Sequence, residues 1–169
     1  MLYLKKTNWE DAEKEYEYIT ALPEDESGFT NNYFGISKEE FMNKVLPELI
    51  DYSEGIGLPE GYVPETDFFL WDDDQIVGLF RIRHFLNDFL RDGAGHIGYG
   101  IKKEYRGRGF ATEGLRLAIE KAKEIISEDE IYMSVHKDNP ASLRAQEKNG
   151  AYIHHEDEAE YYTRIRLQA

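Results

Sequence analysis

Four cations, Lys102, Lys103, Arg106 and Arg108, fall within seven residues and are interrupted by one acid, Glu104. The chain continues through Gly107 and Gly109 into a run whose apolar residues Ala111, Leu115, Ala118, Ala122 and Ile125 keep helical spacing. The start of such a helix leaves about four backbone N–H groups without partners, and the macrodipole makes them electropositive. Glycines let the backbone approach a ligand closely and adopt conformations closed to other residues. Cations, glycines and a helix start in this order make a site for a phosphate or pyrophosphate; solvated charge on a surface loop is the plainer alternative. A P-loop needs Gly-Lys-Ser/Thr after its glycines, and none is present. The dinucleotide fingerprint needs a third glycine where Thr112 stands, so neither nucleotide-binding fold fits.

These residues need elements to hold them. A strand over residues 96–102 delivers the chain to the basic loop, and the helix after it runs over residues 109–126. A strand over 131–136 follows. Asn139 and Pro140 then open a further helix, as cap and first-turn residue, and Gly150 closes it. Strands over 152–155 and 161–167 finish the chain. Upstream, residues 8–21 read as an amphipathic helix with Trp9, Ala12, Tyr16 and Ile19 on one stripe, followed by a polar loop over 23–35. Ser37 with Glu40 forms a capping box ahead of Phe41, Val45 and Leu49. Pro47 inside that pattern demands a kink or two short pieces. Strands over 67–71 and 75–85 meet at Asp72-Asp73-Asp74, and a turn at 92–95 ends the meander. The order predicts an α/β fold: one domain over residues 1–169, with a mixed twisted sheet covered by helices.

Composition narrows the function. Of 169 residues 41% are hydrophobic, enough for a core, which excludes a disordered chain or a coiled-coil rod. Without cysteine there is no disulfide scaffold, thiolate zinc site or cysteine nucleophile. No apolar run reaches the roughly 18–20 residues of a spanning helix, and the first residues lead into acidic helix, so a cytoplasmic protein is expected. The net charge of −14 repels nucleic acid and anionic membranes. Residues 1–60 hold 14 acids and 5 bases, and residues 61–169 hold 20 acids and 15 bases. Most of the imbalance therefore lies in the first third.

Arg106-x-x-Gly109-x-Ala111 resembles the pyrophosphate loop of the GNAT N-acetyltransferase superfamily, at the usual distance behind the strand Tyr99-Gly100-Ile101. Downstream, Val135, Asn139-Pro140-Ala141-Ser142 and Glu147-Lys148-Asn149-Gly150-Ala151 resemble the family's second cofactor-facing segment. The likeness covers about residues 95–152, and Arg83-His84 with Gly95-His96-Ile97-Gly98-Tyr99 is similar to a bacterial subgroup. The resemblance implies the GNAT fold and acetyl-CoA as acetyl donor, with no metal. It also implies a primary amine on a small molecule or peptide as acceptor. Homodimers are common in the family. Backbone of Tyr99, Gly100 and Ile101 would pair with the pantetheine arm in a splay between parallel strands. Arg106 and the amides of Gly107, Arg108, Gly109, Phe110, Ala111 and Thr112 would cradle the pyrophosphate. Asn139 would bond the pantetheine with Ser142 nearby, or serve only as helix cap. Lys148 would reach the nucleotide end or stay solvated.

The mechanism implied is direct attack of a neutral amine on the thioester, with CoA leaving as thiolate. Many relatives place a tyrosine seven positions after the helix-opening Asn; here Gln146 stands there. Tyr152, Tyr161 or Tyr162 would then protonate the thiolate, or be packing residues. His96, near where some relatives keep a glutamate, is a candidate general base, since a histidine of near-neutral pKa suits removal of an ammonium proton through water. A strand-edge histidine without chemistry is the alternative. His84 shares the side of Phe80 and Ile82, while His154 and His155 read as surface. A non-catalytic CoA-binding module and a protein for another phosphate ligand are the competing readings. The acidic first third, which resembles the family's acceptor-gripping region, predicts a cationic acceptor.

Overall fold

The computed structural model describes residues 1–26 and 29–167. Ser27 and Gly28, inside the expected 23–35 loop, and the last two residues of the expected domain lie outside them. The chain opens on a strand absent from the sequence reading, β1 (Leu2–Lys6), paired antiparallel with residues 68–72. The helix read over 8–21 is shorter, α1 (Ala12–Ala21). Asn8 Oδ1 accepts from Asp11 N–H at 2.9 Å in a tight turn ahead of it. That turn turns Trp9 outward, 58% exposed and off the expected stripe, while Ala12 and Ile19 are buried as the periodicity requires. Short strands β2 (Asp25–Glu26) and β3 (Phe29–Thr30) pair with each other.

Ser37 caps α2 (Lys38–Glu40), its hydroxyl accepting from Glu40 N–H at 3.1 Å. A π-helical turn over Phe41–Val45 then joins it to α3 (Leu46–Ser53), which carries Pro47 in its first turn. The helix runs on through that π turn, Leu46 N–H donating to Phe41 O, and Pro47 follows directly where the regular i→i−4 ladder is already broken, so its missing N–H is tolerated. β4 (Glu65–Asp72) and β5 (Gln75–Arg83) form the central hairpin, with Asp73 in the left-handed region at φ 54°. After α4 (Asp88–Arg91) come β6 (Ile97–Ile101), α5 (Phe110–Ile125), β7 (Glu130–His136), α6 (Pro140–Lys148), β8 (Tyr152–Glu156) and β9 (Glu160–Arg166).

The expected mixed sheet resolves into separate sheets in which every described ladder is antiparallel: β1-β4-β5-β6, β7-β9-β8 and the β2-β3 ribbon. Among the described residues β6 and β7 share no ladder. They touch through the bridge of Gly95 with Met133 and the bond from His96 N–H to Tyr132 O at 2.7 Å. Beyond that touch the strands part, and among the described residues no strand pairs with the edge of β6 facing β7.

Alternation along β4 and β5 splits the core in two. Phe68, Leu70, Phe80 and Ile82 face α5, which buries Leu115, Ala118 and Ala122 against them. Phe69, Trp71 and Leu79 face α1 and α3. Each large apolar side chain so buried contributes roughly 1.5–3 kcal/mol. Gly114 sets how closely α5 lies on the sheet, since a Cβ there would sit 2.6 Å from the Phe80 ring. Among the described residues no helix is long and apolar enough to cross a membrane.

Candidate acetyl-donor site

A cavity of about 450 Å³ lies where β6, the loop behind it, and α5 and α6 meet. Tyr99, Gly100 and Ile101 form one wall. Arg106, Gly107, Gly109, Phe110, Ala111 and Thr112 form the second, and Asn139 and Ser142 stand on the third. The family-implied positions are thus assembled around one space, except Arg108. That guanidinium leaves the cavity and lies over the Tyr105 ring, 5.7 Å from its centroid. Of the basic island only Arg106 lines the cavity, its Nε donating to Ile101 O at 2.9 Å. Lys102 turns away to Glu104 at 2.9 Å.

The loop's geometry follows from its glycines. Gly107 and Gly109 take φ of 80° and 79°, and a Cβ at either would meet nothing within 4 Å. The conformation itself, and not crowding, excludes other residues there, at about 1 kcal/mol or more. Gly109 caps α5 without a side-chain acceptor, so the helix presents its first N–H groups to the cavity. Asn139 caps α6, its Oδ1 accepting from Ser142 N–H at 3.3 Å.

Leu22 and Pro23 at the end of α1, Tyr105 in the loop, and Arg144 and Ala145 on α6 also line the cavity and stand outside the expected positions. Lys148, open in the sequence between nucleotide end and solvated surface, lines it as well. A signal existed, since Ala141, Arg144, Ala145 and Lys148 occupy one helical face at i, i+3, i+4 and i+7. With Arg106 they give the cavity three cations.

The two proposed catalytic side chains are not brought to it. His96 is fully buried, its Nδ1 accepting from Tyr132 N–H at 2.9 Å and its Nε2 facing Glu128 Oε1 at 3.2 Å. The bond to Nδ1 puts the ring hydrogen on Nε2, where it donates to Glu128, so no lone pair is left to take a proton. Burial lowers the pKa of His96, with Glu128 opposing. Sequence could not see this: the partners lie 32 and 36 residues downstream. Tyr152 stands outside the cavity too, its phenol donating to Glu130 and its ring under Arg166 at 4.9 Å. Tyr161 lies beneath Lys137, and Tyr162 stacks on His155 and donates to Asp157 at 2.7 Å. His84 meets Thr66 Oγ1 at 2.8 Å; His154 and His155 are exposed.

Tyr99 and Gln146 are more informative. The Tyr99 ring stacks on Phe80, with centroids 5.1 Å apart and planes within 8°, and its hydroxyl reaches Ser142 Oγ at 2.6 Å. Gln146 is fully buried; its Oε1 accepts from Thr163 at 2.5 Å, and its Nε2 has no hydrogen-bond partner among the described residues. On the other face of the sheet, Arg81, which pairs in register with Gly98, meets Asp67 at 3.1 Å and Glu65 at 3.7 Å.

A strand ending in a glycine-bent basic loop, an uncapped helix start and a parted pair of strands define an acyl-CoA-binding fold. The chain matches the Acetyltransferase (GNAT) domain family over residues 2–152, and it belongs to that family of acetyl-CoA-dependent N-acetyltransferases. Its fold is similar to a GNAT-family acetyltransferase from Streptococcus pneumoniae, at 17% identity with TM-score 0.64, over 99% of this chain and 100% of that one. It is also similar to the N-acetyltransferase PseH of Campylobacter jejuni in complex with acetyl coenzyme A, at 18% identity and TM-score 0.61, over 99% and 100% of the two chains. A third likeness is the spermidine N-acetyltransferase of Vibrio cholerae in complex with CoA and spermine, at 19% identity and TM-score 0.60, over 98% and 95%. No curated protein matches the sequence. The donor of the family is acetyl-CoA.

Proposed function

We propose that this chain transfers the acetyl group of acetyl-CoA to the primary amine of a cationic small molecule or peptide. The observation that carries it is the cavity itself, in which the glycine-bent loop, the uncapped start of α5 and three cations face one space beside the parted strands. When bound there, acetyl-CoA supplies an activated acyl carbon. The protein binds and orients. Amides from Gly107 to Thr112, with Arg106, hold the pyrophosphate; Arg144 and Lys148 supply further charge from α6. The open edge of β6 offers the backbone of Tyr99, Gly100 and Ile101 to the pantetheine amides, as a sheet edge accepts an added strand. Asn139 both caps α6 and lies within the cavity wall.

His96, in this account, is a positioning residue. It ties the start of β6 to Tyr132 on β7 and to Glu128, and so fixes where the two strands part.

Acidic charge supports the cationic acceptor: residues 1–60 hold 14 acids to 5 bases, and exposed Glu24 and Asp25 directly follow cavity-lining Pro23. Such an excess raises the local concentration of a cation and its encounter rate, an effect that salt screens. The test is CoA release on a panel of polyamines, basic peptides and neutral primary amines. Cationic acceptors are expected to turn over best, with KM rising between low and high salt. A preference for neutral amines, or a KM for the best amine that ignores salt, contradicts the assignment.

A further inference from the structure

We propose that Tyr99 is the general acid of the transfer: its phenol gives its proton to the CoA sulfur as the thioester breaks, with Ser142 as its positioning partner. This rests on the acetyl-transfer reading above and adds to it the source of one proton.

Four of the residues that line the cavity carry hydroxyls: Tyr99, Tyr105, Thr112 and Ser142. A thiol titrates near 8.5 and a phenol near 10, whereas an aliphatic hydroxyl is far too weak an acid to match. That leaves two candidates. Tyr105 directs its hydroxyl to Gln75 Oε1 at 3.1 Å, on the exposed side of the loop. Arg106 and Arg144 do not give up protons in proteins, and Lys148 is exposed in the last turn of α6. Tyr99 alone combines a matched acidity with a fixed place at the parted strands.

Its surroundings suit the task. The stack on Phe80 fixes the ring. The phenol lies 3.2 Å from Ser142 O and 2.6 Å from Ser142 Oγ. A consistent pattern has the phenol donating to the carbonyl while the serine hydroxyl donates to the phenol oxygen. The longer bond is the one released when a sulfur takes its place, and the shorter one stays to stabilise the phenolate. Gln146, one turn beyond Ser142 on α6, opposes the rise in the phenol's pKa, and its buried Nε2 has no hydrogen-bond partner among the described residues. Burial raises the phenol's pKa, so it holds its proton at neutral pH. A glutamine in place of a tyrosine on α6 thus leaves the acid to β6.

The step balances. The amine nitrogen bonds to the carbonyl carbon, and the C=O pair moves to oxygen. On collapse the carbon–sulfur bond breaks, sulfur leaves with its electron pair, and that pair takes the Tyr99 proton. The acylated nitrogen loses one proton to solvent and the phenolate recovers one. Amine and acetyl-CoA give amide and CoA thiol.

The test replaces Tyr99 with Phe, which keeps the Phe80 stack, and separately with 3,5-difluorotyrosine, which keeps the hydroxyl but makes it more acidic. Tyr99→Phe is expected to lower kcat about a hundredfold or more, with KM for acetyl-CoA within about threefold. A second readout needs no turnover. Wild type should bind CoA more tightly than desulfo-CoA, and Tyr99→Phe should lose that preference. The fluorinated protein should keep its activity, with the alkaline limb of kcat moved to lower pH. Should Tyr99→Phe fail to fold, the fluorinated protein and its pH limb decide. Wild-type turnover together with a kcat within threefold in Tyr99→Phe, or an alkaline limb unmoved by fluorination, overturns the proposal. If wild type acetylates no amine, the acetyl-transfer reading fails by itself. The CoA against desulfo-CoA preference then decides this one: retained in Tyr99→Phe, it refutes contact between phenol and sulfur.

Discussion

Replacing Gly109 by Glu tests the anion site in the terms that build it. Two costs follow from the structure and can be separated. Gly109 has φ 79°, so any side chain there strains the backbone by about 1–2 kcal/mol, while the empty space around it adds no clash. For a domain of this length that lowers Tm by roughly 2–8 °C. The second cost is electrostatic. A carboxylate about 5 Å from a doubly charged pyrophosphate, at an effective dielectric constant of about 20–80, opposes binding by roughly 2–7 kcal/mol. Affinity for acetyl-CoA should therefore fall at least thirtyfold. Gly61 is a matched control, with φ 83° and nothing within 4 Å, and it is absent from the cavity wall. Gly61→Glu should lose comparable stability and bind acetyl-CoA as wild type does; Gly109→Ala should show the strain without the repulsion. Calorimetric titration with acetyl-CoA, beside thermal melts, reads both quantities. Micromolar affinity retained in Gly109→Glu, or an equal loss in Gly61→Glu, refutes the reasoning.

Two further predictions concern the scaffold. Gly114→Ala forces a methyl to within 2.6 Å of the Phe80 ring and 2.9 Å of Leu70, so denaturant melts should show a loss of about 1–3 kcal/mol; unchanged stability would mean α5 does not lie this close to the sheet. Glu15 is on the buried face of α1, where it accepts from Thr7 Oγ1 at 2.5 Å and Asn8 N–H at 3.1 Å, and burial raises its pKa to about 7. Because the folded chain holds this proton more tightly than the unfolded one, its contribution is fully present below about pH 4.5. It is lost as pH rises to 7, by roughly 3 kcal/mol. Urea titrations across pH 4.5–8 should show that decline in wild type and a flatter profile in Glu15→Gln; parallel profiles would contradict the assignment.

What the sequence disclosed was local. The capping serine at 37, the proline at 47, the Asn139-Pro140 helix start and the Arg106-x-x-Gly109 loop each act through bonds within a few residues, and each was found where it was read. What stayed hidden depends on distant partners. β1 is five residues long and shows little alternation; its strand identity comes from pairing with Asp72 and its neighbours some 70 residues away. Trp9 reads as core until the Asn8 turn moves the helix start past it. His96 looks like a base until Glu128 and the Tyr132 amide occupy both nitrogens. Arg144 and Lys148 look like a solvated helix face, and only the docking of α6 beside β6 and α5 makes them cavity wall. Tyr99 was read for its backbone alone; the meeting of its phenol with Ser142, 43 residues on, is a tertiary event.

A crystal structure of the chain with acetyl-CoA tests the central claim most directly. It should show the pyrophosphate on the amides between Gly107 and Thr112, the pantetheine along the open edge of β6, and the sulfur within hydrogen-bond reach of Tyr99, about 3.5 Å. Acetyl-CoA seated elsewhere, with the pyrophosphate away from the start of α5, would contradict it.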